Sequence, residues 1–227
     1  MESISLFSPH LPPIHSHLSG MKLQVYWAIN MALICGIDEA GRGCVAGSLF
    51  IASVMLDECY FESFKKLDIR DSKQLTQTQR QERADSIQEF LREHGGRVKI
   101  VSFDSVNIDS KGLGQCMQMG LKEILIHAKK HQCKSIIFDG NTNFGVQEID
   151  TLIKGDSKHV LISAASILAK TNKDSEMLTL HDLYPQYNLK SNKGYLTKAH
   201  IESIAKHGYS PIHRKSYHIK ALESRLF

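Results

Sequence analysis

The chain has 227 residues, enough for one large domain or a domain with a smaller appendage, and its 42% hydrophobic and 23% charged content is that of an ordinary folded protein. No apolar run approaches the roughly eighteen residues that a membrane-spanning helix needs, and the five cysteines form an odd set without a Cys-x-x-Cys pair, so a helical membrane protein, a disulfide framework and a zinc cluster are not expected. The net charge of +4 permits a polyanionic partner without requiring one.

Residues 1–31 carry turn signals at Ser8, Pro12 and Pro13 but no sustained period, and they read as a disordered tail. Lacking a basic start and a small-residue cleavage site, they do not resemble a secretion signal, and a cytoplasmic protein is expected. Met21 and Met31 both precede the first strand, so either could mark the start. Two strands follow, at 33–37 and 49–56, antiparallel and joined by the loop Gly41-Arg42-Gly43. Such a loop could cradle a dinucleotide only if a helix began there, whereas the next residues are β-branched and apolar. A short helix is predicted at 61–66 and a longer one at 76–94, with Ala84, Ile87 and Leu91 on its buried face and Gly95-Gly96 at its end. Residues 97–103 alternate as a third strand. Leu113, Met117, Gly120, Leu121, Ile124 and Ala128 then recur at helical spacing over 113–130. A fourth strand at 135–138 ends in Asp139, a fifth at 149–153 precedes Gly155-Asp156, and a helix with small residues covers about 160–180. From Tyr184 the chain is basic and aromatic, with helices at 198–206 and after Ser216. Strands alternating with helices after an initial meander predict an α/β fold, a mixed five-stranded sheet flanked by helices.

Asp38, Glu39, Asp139 and Asp156 each follow the end of a predicted strand, where ligands gather in open sheets. Asp139 could equally be a turn residue and Asp156 a helix cap, but four converging carboxylates would repel one another. Two divalent cations relieve that repulsion, and oxygen ligands suit Mg2+ or Mn2+. Such ions, about 4 Å apart, stabilise the attacking and leaving oxygens of a phosphodiester hydrolysis, with Asp38 as the bridging ligand. Lys190, Lys193, Lys198, Lys206, His213, Arg214 and Lys215, set among tyrosines, fit duplex backbone binding, as they would also fit a solvated helical face.

Gly36-Ile37-Asp38-Glu39-Ala40-Gly41-Arg42-Gly43 resembles the signature of the ribonuclease HII family. Phe138-Asp139-Gly140-Asn141 and Lys154-Gly155-Asp156-Ser157 resemble its second and third acidic motifs, and the run 163–170, Asp71-Ser72-Lys73 and Lys193-Gly194-Tyr195 also match in the family's order. The similarity implies an RNase H-like catalytic domain at 32–183 and a C-terminal helical substrate-binding segment at 184–227. It implies an enzyme that cuts RNA in RNA/DNA hybrids and cuts 5′ of single ribonucleotides in duplex DNA, leaving 3′-hydroxyl and 5′-phosphate ends. Asp38, Glu39, Asp139 and Asp156 are then the catalytic and metal-binding residues. Gly41, Arg42, Gly43, Lys73, Ser166, Lys170 and Tyr195 bind substrate: the glycines bring backbone close to the ribose 2′-hydroxyl, and the Tyr195 ring stacks on the sugar.

Cys44 and Ser48 depart from the resemblance, since the family usually has proline at the first position and frequently at the second. Cys44 beside the site could be a redox-sensitive thiol. The alternatives are a ribonuclease HIII-like enzyme, which carries a larger N-terminal domain than residues 1–31 could form, and a catalytically silent duplex-binding module, which would lack one of the carboxylates. A monomer is expected. The ending Leu226-Phe227 faintly resembles peptides that dock on the bacterial sliding clamp, although an amphipathic terminal helix explains it as well.

Overall fold

The computed structural model describes residues 32–69 and 75–223. The expected tail, the Asp71-Ser72-Lys73 motif and the terminal Leu226 and Phe227 lie outside them. Five strands, β1 (Leu33–Ala40), β2 (Leu49–Asp57), β3 (Arg97–Phe103), β4 (Ser135–Asp139) and β5 (Asp150–Leu152), form one sheet in the order β3-β2-β1-β4-β5. The first three make an antiparallel meander, while β4 and β5 run parallel to β1. The parallel register pairs Ile37 with Phe138. Asp38 and Asp139, one residue further along each strand, therefore reach neighbouring strand ends by geometry alone.

Side-chain alternation along β1 sends Cys35 and Ile37 to one face of the sheet. There they pack with Leu49, Ile51 and Phe138 against the stripe of α4 (Leu113–Lys130), made by Met117, Leu121 and Ile124. Met119 faces outward on the same helix. On the other face, Ala52, Val54 and Leu56 meet α1 (Phe61–Lys65), α2 (Gln77–Glu93) and the long α5 (Val160–Leu183). A Cβ at Gly36 would stand 2.6 Å from the backbone nitrogen of Ile162, which shows how closely α5 crosses β1. That crossing brings Ser166 and Lys170 of α5 over the acidic strand end.

The predicted elements are present with small shifts. Thr76 caps α2 through a reciprocal bond with Gln79, and Asp104 caps the short α3 (Ser105–Lys111), an element the periodicity did not reveal. β5 is shorter than expected, with the buried Ile149 just before it and the exposed Ile153 just after it outside the strand. α5 extends three residues past its predicted end, to Leu183.

Beyond α5 come α6 (Leu189–Asn192), α7 (Lys198–His207) and α8 (Lys220–Glu223), packed around Tyr187, Leu189, Ile204 and Ile219 with Val45, Ala46 and Met177. Two residues expected on a duplex-binding surface are interior here: Arg214 is 0% exposed and His213 1%. Lys190, Lys198, Lys206 and Lys215 remain exposed. Burial, and then the neighbouring His200, push the His213 imidazole down to about 4. The Tyr187 and Tyr209 rings complete its surroundings, with centroids 4.6 and 5.7 Å away. A histidine whose folded pKa lies below its unfolded value near 6.5 adds stability above that value and loses it as pH falls toward the folded pKa. Stability is therefore expected to drop between pH 6.5 and 4 by on the order of 3 kcal/mol from this residue. Urea unfolding of wild type and His213→Gln across that range checks it: the variant should show the shallower decline.

Candidate active site

The ends of β1 and β4, the loop after β1 and one face of α5 enclose a cavity of roughly 350 Å³. It is lined by Asp38, Glu39, Asp139 and Gly140 on the sheet side, by residues 40–43 on one wall, and by Ser166, Lys170 and Tyr195 opposite. The structure thus brings together three of the four expected carboxylates and six of the seven expected substrate contacts. The seventh, Lys73, lies outside the described residues.

Asp38 is 7% exposed and takes a hydrogen bond from the Glu39 backbone N–H at 2.8 Å. Ser166, which lines the same cavity, turns its hydroxyl to Asp38. Burial raises the Asp38 carboxyl well above the ordinary carboxylate range, and the charges of Glu39 and Asp139 add to the rise. Burial raises Glu39 as well, although Arg42 Nη1 sits 3.1 Å from its Oε1. The other oxygen, Oε2, is buried without a hydrogen-bond partner. Asp139 accepts from the Gly155 N–H at 2.8 Å, which ties the end of β4 to the turn Gly155–Ser157. Asp156, the next residue in that turn, is buried and is not part of the cavity lining.

Among the described residues no three acidic, imidazole or thiol groups form a ready-made metal cluster. The donor set nevertheless fits a hard cation: it is all oxygen, one oxygen is buried and orphaned, and burial with the neighbouring like charges disfavours the bare carboxylates, which a cation would relieve.

The wall carrying Gly41, Arg42 and Gly43 is held from behind by residues that sequence reading missed. Gly41 has φ +95° and would clash with the Ser48 carbonyl if it bore a Cβ. Arg214 donates through Nε and Nη2 to the Gly47 carbonyl at 3.0 and 2.8 Å and through Nη1 to the Arg42 carbonyl at 3.2 Å, where the Tyr217 hydroxyl donates too. The buried Lys173 donates to the Ala46 carbonyl at 3.1 Å and pairs with Glu176. Glu176 in turn accepts from the Ser48 backbone N–H at 2.9 Å and from its hydroxyl. A proline at position 48 has no N–H to give, so this pairing is what the departure from the family pattern supplies here. Cys44 is fully buried, its thiol donating to the Lys193 carbonyl at 3.5 Å, and burial pushes that thiol up, away from the reactive thiolate.

Lys170, expected among the substrate-binding residues, pairs with Asp174 at 2.8 Å and lies 5.7 Å from the centre of the Tyr195 ring. Asp174 also holds the buried Arg80 at 2.7 Å. A carboxylate one turn after a lysine in a helix was the available signal for this support, and it carries little weight by itself.

Fold and site together define an RNase H-like enzyme: an antiparallel meander continued by parallel strands, with acidic strand ends beneath a long helix. Residues 35–220 match the family model described as Ribonuclease HII. The ribonuclease HII of Sulfurovum sp. (strain NBC37-1) is 41% identical over 191 residues, covering 84% of this chain and 94% of that protein. Among solved structures, the RNase HII in the PCNA:RNase HII complex from Archaeoglobus fulgidus superimposes with a TM-score of 0.66 at 24% identity, over 80% of this chain and 92% of that one. Bst-RNase HIII in complex with Mn2+ gives 0.67 at 20% identity, over 86% and 70%. The chain belongs to the ribonuclease HII family, and as such it is a type 2 ribonuclease H, an endonuclease of RNA/DNA hybrids that depends on divalent metal. Among the described residues no helix is long and apolar enough to cross a membrane.

Proposed function

We propose that the enzyme cuts the phosphodiester bond 5′ of a ribonucleotide, in hybrid tracts and at single ribonucleotides within duplex DNA, leaving 3′-hydroxyl and 5′-phosphate ends. The observation that carries this reading is the cavity that sets Asp38, Glu39 and Asp139 opposite Tyr195, with the glycine loop between them. The residues that would hold two divalent cations, Mg2+ or Mn2+, are these three and Asp156; when bound, such ions supply charge stabilisation for the attacking and leaving oxygens. Glu39 offers Oε2 to the site while Arg42 occupies Oε1. Ser166 orients Asp38, and the Lys170 ammonium adds positive charge on the phosphate side. Tyr195, 45% exposed, presents its ring for stacking on the sugar. The segment after α5 serves the duplex mainly by delivering this residue.

Gly43 separates folding from recognition. A Cβ there would meet nothing within 4 Å, so the fold does not demand glycine. Close approach of the loop backbone to the 2′-hydroxyl does. Gly43→Ala is expected to keep the wild-type melting temperature and lose about 100-fold in cleavage at an embedded ribonucleotide.

The test of the function is cleavage of a DNA duplex carrying one ribonucleotide, with Mg2+, Mn2+ or chelator. Products ending in 3′-hydroxyl on the 5′ side of that nucleotide are expected. Cutting on its 3′ side, or equal cutting of an all-DNA duplex, would sink the proposal.

The archaeal enzyme solved with its clamp motivates a second proposal, a sliding-clamp contact through Leu226 and Phe227. Pull-down of a bacterial clamp should weaken when these two residues are removed, and an unchanged signal would dispose of it.

A further inference from the structure

Histidines 200 and 213 are both buried, and the atoms around them admit one arrangement of protons. His200 Nδ1 lies 2.9 Å from the Tyr195 carbonyl, which can only accept, so Nδ1 carries the hydrogen. Neutral His200 then has a lone pair on Nε2, which faces His213 Nε2 at 3.1 Å. His213 must donate across that gap, which leaves its own Nδ1 as an acceptor. The Ser210 backbone N–H at 3.0 Å and the Ser210 hydroxyl at 2.8 Å meet that acceptor. Reversing the direction would set an N–H of His213 against the N–H of Ser210. Every polar atom of both rings is used, and the chain of donation runs one way, from Ser210 to Tyr195.

We propose that His200 and His213 are positioning residues for Tyr195, fixing through this chain the stretch of backbone that carries the tyrosine ring to the mouth of the acidic cavity. The inference rests on the reading that Tyr195 meets the substrate sugar. The Tyr195 N–H is already held by the Asn192 carbonyl at 2.9 Å, and its carbonyl also accepts from the Thr197 N–H at 2.9 Å. Among the described residues, His200 supplies the tether on the Tyr195 backbone that comes from a side chain of α7 rather than from the adjoining turn. Around the ring, the Lys170 ammonium lies 5.7 Å from its centre and the Cys44 thiol is in hydrogen-bond contact with its hydroxyl. With the side chain 45% exposed, the direction of the ring follows from its backbone together with that one end contact. A residue held in this way keeps its geometry before substrate arrives, which is what a stacking platform requires.

The experiment is a mutant cycle read by kcat and KM on the single-ribonucleotide duplex, with melting temperatures measured alongside. His200→Ala is expected to lower kcat about tenfold while KM moves less than about twofold. His200→Asn, whose side-chain N–H stands in for Nδ1–H, should recover most of that loss. His213→Gln, which keeps an N–H toward His200, should lose less than His213→Ala. On a Tyr195→Ala background, His200→Ala should add nothing further to the fall in kcat. An equal factor in both backgrounds would make the histidines general supports of the fold and overturn the inference. So would a folded His200→Ala, or a folded His213→Ala should the first not fold, with wild-type kcat. Wild-type kcat in Tyr195→Ala alone would instead remove the reading of Tyr195, a failure distinct from these.

Discussion

Asp38→Asn is expected to abolish cleavage, by at least about 1,000-fold, while leaving the fold as stable as before or more so. The two halves of this expectation come from the same fact. Asp38 is buried beside Glu39 and near Asp139, and these charges together with burial raise its carboxyl far above the ordinary range. Without metal, a neutral amide of the same shape relieves that repulsion and keeps an oxygen to accept the Glu39 N–H. With metal the balance reverses, because the amide removes the charge for which the cation pays its desolvation cost. Thermal unfolding with and without Mn2+ separates these effects. Wild type should gain melting temperature with added ion, as a ligand that binds only the native state requires, and Asp38→Asn should gain much less. Chelator should reduce wild-type cleavage to the level of the variant; cutting that survives chelation would end the metal-assisted mechanism.

The acidic strand ends were legible in the sequence because they obey local rules. An apolar run closing on Asp38-Glu39 and another closing on Asp139 specify strands, and the parallel pairing of Ile37 with Phe138 then joins their ends. The supports of the site follow no such rule. Arg214 stands among basic residues and reads as a phosphate contact, yet its guanidinium ends on the carbonyls of Gly47 and Arg42, 167 and 172 positions earlier. Only the packing of the C-terminal segment against the loop after β1 makes those carbonyls available. Ser48 is a similar case: in the sequence it is only a departure from the family proline, whereas in the fold its N–H and hydroxyl both bind Glu176. The helix α3 was missed for a third reason, because seven residues with one strong cap show too little period to be seen.

Asp174→Ala is expected to cost about 3–5 kcal/mol of stability, the usual effect of removing one partner from a buried ion pair. Asp174 stands between Arg80 Nη1 at 2.7 Å and Lys170 Nζ at 2.8 Å, and both Arg80 and Asp174 are buried. Arg80 also donates to the Leu75 carbonyl at 2.8 Å, so its head cannot swing out to water without breaking a second bond. Truncating Asp174 takes this buried carboxylate away from both cations. Replacing both members of the pair, Arg80→Met with Asp174→Leu, removes both buried charges and should restore most of the stability, by the general finding that apolar residues of similar size substitute well for buried ion pairs. Activity should not return with it. Lys170 lines the cavity and keeps its place beneath Tyr195 through Asp174, and in the double variant its ammonium has no anchor. Urea unfolding and kcat on the same set of proteins should therefore diverge: stability near wild type, and cleavage reduced about tenfold. If both recover together, Asp174 serves the fold alone and Lys170 needs no partner to act.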